Sequence, residues 1–170
     1  MKKRALLISI LLHALLLMVV YVFQGVILPF LRLGGLVPLL LPIACTGAAL
    51  YEGRETGGVV GLFAGILCDV SFNQPVGVFT VFLTVTGLIV GTLSDTVILR
   101  GFVTYYLCCA VVLVASAFLQ MFPLMAGVQR IPIQLMIGTA IQQTIYSLIL
   151  ALPIWFFIRA LGRFSDRALT

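Results

Sequence analysis

The chain has 170 residues, of which 62% are hydrophobic and 9% charged, whereas a soluble domain carries about a quarter charged residues. It reads as an integral membrane protein whose apolar runs leave no stretch for a soluble catalytic domain on either side. The net charge of +5 does not point to nucleic acid, because the basic residues stand singly or at the two ends and build no basic-aromatic surface.

Measured against the roughly 20 residues of a spanning helix, the sequence divides into six predicted spans of one all-α domain covering 1–170. The first runs over 5–31. Its basic start, Lys2-Lys3-Arg4, imitates a signal peptide, but the apolar run is too long for an h-region and no A-x-A site closes it, so an uncleaved span is expected. His13 lies in this span with no acidic residue one turn away and is expected to pack as a neutral imidazole. The second span, 36–50, is short and holds Pro38 and Pro42. The third and fourth, 56–72 and 76–93, are also short, which implies little tilt, a thin bilayer or shielding by neighbours. Between them Asn73-Gln74-Pro75 is a turn by its chemistry, since proline cannot continue the helix. The fifth and sixth spans are 102–125 and 131–158, and the tight linkers make consecutive helices antiparallel neighbours.

Lysine and arginine counts orient the chain. With both termini cytoplasmic, that side holds Lys2, Lys3, Arg4, Arg54, Arg100, Arg159, Arg163 and Arg167, against Arg32 and Arg130 outside. Removing a span would separate the basic ends across the membrane.

Two stretches share the pattern G-L-x-x-G-x-L-x-D: Gly61 through Gly65 to Asp69, and Gly87 through Gly91 to Asp95. Residues four apart on a helix drift by only about 40°, so each stretch aligns two glycines with a carboxylate near one face. Glycines let helices touch, and with Gly57 the third span carries a ladder of three. A carboxylate is costly in lipid, so Asp69 should face protein. It is expected either to cap the turn from Ser71 to Pro75 or to serve a proton or a substrate. Asp95, beside Ser94 and Thr96, reads as an interfacial cap on the opposite side of the membrane.

In the sixth span Gln142, Gln143 and Tyr146 occupy neighbouring positions of a face expected to look inward, as interhelical glue or as a polar pocket. Ser116 and Gln120 form a smaller pair in the fifth. Cys45, Cys68, Cys108 and Cys109 have no C-x-x-C spacing and no histidine nearby, and read as packing residues. No phosphate-binding, zinc-hydrolase or serine-nucleophile motif occurs. An enzyme is not expected, and no metal or cofactor is implied.

Six short spans, with Gly57, Gly61, Gly65 and Asp69 followed by Ser71, Pro75 and Gly77, resemble MreD, the rod shape-determining membrane protein of bacteria. A typical version of that family runs G-x-x-x-G-x-x-x-G-L-L-x-D-x-x-S-G-x-P-L-G. This chain keeps the glycine ladder, Leu67, Asp69, Pro75 and Gly77, but has Ser71 and then Asn73-Gln74 where Ser-Gly is commoner. The architecture is also similar to the substrate-binding membrane subunits of energy-coupling-factor vitamin transporters. Their first-span A-x-x-x-A is absent here; Ala44 and Ala48 have the spacing in the second span. The MreD resemblance implies a non-catalytic scaffold in the bacterial plasma membrane, working with MreC, MreB, RodA and a penicillin-binding transpeptidase. The glycines would then pack helices within the chain or hold a partner. The alternative is a vitamin or small-solute binding subunit, with Asp69 and the sixth-span polar face lining its pocket.

Overall fold

The computed structural model describes residues 2–27, 38–72, 77–96, 101–126 and 133–167, all but a few of them helical. The helices are α1 (Lys2–Val22), continued by a π-helical turn (Phe23–Ile27), α2 (Leu40–Glu52), α3 (Arg54–Phe72), α4 (Val78–Thr96), α5 (Phe102–Ala126) and α6 (Ile133–Arg167). The expected turn at Asn73-Gln74-Pro75 and the end of the first expected span lie outside the described residues. Helix α6 continues well past 158, the expected end of the sixth span.

Within the described residues three helices are long and apolar enough to cross a membrane, through Val78–Asp95, Phe102–Gln120 and Ile137–Ile158. The exposed surface has the composition such helices need. Val103, Leu107 and Val111 on α5, and Ile141, Ile145 and Ile149 on α6, point outward at helical spacing with between 54% and 70% of their surface exposed. That is an apolar exterior suited to lipid rather than water.

Helix α2 is the centre. It has 13 residues, about 20 Å of rise, less than the roughly 30 Å of a hydrocarbon core. It packs against all five other helices, and every residue from Leu40 to Leu50 is buried. Small residues make this possible: at Gly47 a Cβ would collide with the Ile158 side chain and stand 3.1 Å from the Tyr105 ring.

A helix that begins inside a protein brings four N–H groups with no helical acceptor, and here each is accounted for. The Leu39 N–H donates to Ser147 Oγ of α6 at 2.9 Å. The N–H groups of Leu40 and Leu41 donate to Gln24 Oε1, at 3.1 and 3.4 Å. The next residue is Pro42, which has no N–H to satisfy. Helix α2 thus begins later and ends later than the expected 36–50, and the proline in its first turn removes the last unpaired donor. Gln24 sits in the π-helical turn, whose wider winding re-aims side chains relative to an α-helix.

Other polar side chains tie α5 and α6 to this centre. The Tyr106 hydroxyl donates to the Leu148 carbonyl at 3.0 Å, and Trp155 Nε1 donates to the Tyr51 hydroxyl of α2 at 2.7 Å.

Removing the α2 caps leaves buried N–H groups unpaired, at about 1–3 kcal/mol each. Gln24→Leu, which orphans two, should lower the thermal unfolding midpoint in detergent more than Ser147→Ala, which orphans one. Equal midpoints for both variants and the parent would contradict this assignment.

Candidate functional site

The two G-L-x-x-G-x-L-x-D stretches meet. Helices α3 and α4 run antiparallel and form the most extensive helix pair of the fold, and all five glycines predicted for packing lie along their contact. Gly57 and Gly87 face each other: a Cβ on Gly57 would stand 2.8 Å from the Gly87 carbonyl oxygen, and 2.7 Å from the Ala49 Cβ of α2. Gly61 lies on the backbone of Leu83 and Thr84, and Gly65 on that of Phe79 and Thr80. At the other end a Cβ on Gly91 would be 2.6 Å from the Arg54 Cα. These faces are spent within the chain.

Asp69 is 6% exposed and faces protein. The donors that reach it belong to the start of α4. The N–H groups of Gly77 and Thr80 donate to Oδ2 at 2.9 and 3.1 Å, the Phe79 N–H donates to Oδ1 at 2.9 Å, and the Thr80 hydroxyl donates to Oδ2 at 2.6 Å. A carboxylate at a helix N-terminus also meets the positive end of the macrodipole. Asp69 therefore caps the start of α4; the expected cap of the Ser71 to Pro75 turn involves residues 73–75, which lie outside the described residues. Ser71 is exposed and donates to the Leu67 carbonyl at 2.8 Å; Pro75 lies outside the described residues. Gly77 has φ 105°, a conformation open to glycine at little cost, and this aims its N–H at the carboxylate.

Asp95 performs the matching task at the far end, where the Arg54 N–H at the start of α3 donates to its Oδ2 at 3.2 Å. Ser94 beside it donates to the Leu50 carbonyl near the end of α2. Gly53, between α2 and α3, has φ 85° and leaves room for the carboxylate: a Cβ there would be 2.8 Å from Asp95 Oδ1.

The expected polar face of α6 is divided. Gln142 is exposed on the outer surface, Tyr146 is partly buried, and only Gln143 is buried. The reason is geometric: adjacent residues on a helix diverge by about 100°, so Gln142 and Gln143 cannot both point inward. The Gln143 amide donates to Gln120 Oε1 of α5 at 3.3 Å, which makes it an interhelical tie. Buried Ser116 has no hydrogen-bond partner among the described residues. Cys45, Cys68 and Cys109 are buried free thiols, and His13 is buried in α1. Among the described residues no group of three or more His, Cys, Asp or Glu is placed to hold a metal ion. The cavity between α1 and α6, of about 300 Å³, is lined only by apolar side chains, among them Leu16, Phe23, Pro153 and Phe157.

Of the four further residues that complete these contacts, three carry no local sequence signal. Gln24, Ser147 and Thr80 act on or from another helix, beyond the reach of capping rules that read one helix at a time. Gly53 had a signal in Glu52-Gly53-Arg54, a glycine closing one helix before charged residues open the next.

Comparison of the chain with protein-family models, curated proteins and solved structures gives no match.

Asp69→Ala leaves three N–H groups and a hydroxyl without their acceptor, and should cost several kcal/mol on the order of 1–3 per group, less whatever water recovers. Asp69→Asn keeps an acceptor suited to a helix start and should retain most of the stability. Midpoints in detergent check this, and Ala and Asn variants of equal stability would contradict the cap. Gly65→Leu should be more damaging still, since its side chain has only the α4 backbone to enter.

Proposed function

We propose that this chain is a non-catalytic membrane scaffold of the bacterial cell-elongation machinery, an MreD-like protein of the plasma membrane. The observation that supports this reading is the condition of Asp69. The one carboxylate that the sequence offers for proton or substrate chemistry accepts four hydrogen bonds from the start of α4. A carboxylate so engaged has little capacity left for a ligand.

The proposal includes six membrane passes with both termini cytoplasmic, supported by the arginine and lysine asymmetry. On this topology Asp69 caps near the outer face and Asp95 near the inner one. The short central α2 does not need to cross alone, because the other helices shield its buried start. The partners proposed are an MreC-like protein and, in the wider complex, MreB, RodA and a penicillin-binding transpeptidase.

The solute-binding alternative draws less support. A pocket for a polar solute needs convergent donors and acceptors, whereas Gln142 turns outward and Gln143 binds Gln120.

Depletion of the protein from a rod-shaped host tests the proposal. Cells should round up within a few generations and lose the localised pattern of wall synthesis, and an MreC-like protein should co-purify with the chain from undepleted membranes. Unchanged shape and wall growth after depletion, or thermal stabilisation of the purified protein by a vitamin-like solute, would overturn it.

A further inference from the structure

The repeated G-L-x-x-G-x-L-x-D stretches stand in a relation that neither shows alone. Gly61 and Gly87, Gly65 and Gly91, and Asp69 and Asp95 are each 26 residues apart. Applying that offset to a contact between α3 and α4, forward for one partner and back for the other, returns another observed contact. Gly65 on Thr80 becomes Gly91 on Arg54, and Gly57 on Gly87 becomes Leu83 on Gly61. The Thr80 N–H donating to Asp69 becomes the Arg54 N–H donating to Asp95. The hairpin is therefore an inverted repeat, with a local twofold axis crossing the middle of the contact at right angles to the helices.

Symmetry of this kind gives the two carboxylates one shared task. The glycine ladder fixes how close the helices come, but Gly57, Gly61 and Gly65 recur every four residues, so a slip of one turn presents much the same surface to α4. A smooth contact of backbone on backbone sets distance and leaves register weakly specified. The caps supply what is missing, because Asp69 finds the first N–H groups of α4, and Asp95 the Arg54 N–H of α3, in only one register. We propose that Asp69 and Asp95 together form a register lock at the two ends of the α3–α4 hairpin, either one sufficient to hold the alignment and the pair required to be lost before the helices slide.

Independent sites so far apart, about 22 Å along the helix from Arg54 to Asp69, are normally additive in their effects on stability. A shared register makes them non-additive, and it can be read directly by disulfide formation. A Cβ on Gly58 would lie 3.2 Å from the Leu88 Cγ, so Gly58→Cys with Leu88→Cys reports the observed register. Gly58→Cys with Thr84→Cys or with Thr92→Cys reports a slip of one turn in either direction. The pairs are introduced into the full chain with its native cysteines replaced by alanine, in membranes, and oxidised briefly.

The parent, Asp69→Ala and Asp95→Ala should each form only the 58–88 disulfide. The Asp69→Ala/Asp95→Ala chain should form a slipped disulfide as well, at several-fold above the parent's background, and Asp69→Asn/Asp95→Asn should return to the 58–88 bond. If the double alanine chain is recovered only as aggregate, the disulfides are read in Asp69→Ala/Asp95→Ser and Asp69→Ser/Asp95→Ala instead, where a slipped bond supports the lock and the 58–88 bond alone overturns it. A double variant that keeps the 58–88 bond alone overturns the proposal. So does a single alanine variant that slips or aggregates as the double does, since one cap would then set the register.

Discussion

A backbone N–H buried in an apolar interior must find an acceptor, and the first turn of a helix has none of its own. Three helices of this protein begin within its packed body or against a neighbour, and each is met by a side chain from elsewhere in the fold. Gln24 and Ser147 receive the start of α2, Asp95 the start of α3, and Asp69 the start of α4. In water such ends would be solvated. At the buried start of α2 and the partly buried start of α4 an unpaired donor would cost several kcal/mol, so the architecture depends on those caps being in trans and in place, whereas Arg54 and Asp95 stand exposed at the start of α3.

The same constraint decides how the polar residues are to be understood. A carboxylate, two amides and several hydroxyls inside a hydrophobic protein invite a reading as a substrate path or a proton relay. Here most of them bind backbone: Asp69 takes N–H groups, Ser147 links Leu39 to the Gln143 carbonyl, and the tyrosines of α5 reach carbonyls of α6, while the Gln143 amide ties to Gln120. Glycine supplies the complement, since α3 and α4 can approach to backbone contact only where no Cβ intervenes. Close approach and satisfied helix ends together give a closely packed body with an apolar surface.

Much of this was legible in the sequence where the governing rule is periodic. Apolar runs marked the helices, the four-residue spacing of Gly57, Gly61 and Gly65 marked the packing face, and the cost of charge in lipid turned Asp69 inward. What stayed hidden involved relations between helices. The sequence pattern offered Asp69 its own turn, and gave no sign of the donors at the start of the next helix. Gln142 and Gln143 read as one polar face, and a difference of about 100° on the helix separates them. The central position of α2 could not be read from its composition, because a helix that is apolar all round is equally a membrane span or a buried hub.

The central claim is that helix starts inside this protein are held by side chains of other helices, and amide hydrogen exchange tests it most directly. In the parent protein in lipid nanodiscs, the amides of Gly77, Phe79 and Thr80 should exchange as slowly as those in the middle of α4, although first-turn amides ordinarily exchange fast. Asp69→Ala should release them while leaving mid-helix protection in place. Fast exchange of these three amides in the parent, at the rate of a solvent-exposed helix end, would contradict the account.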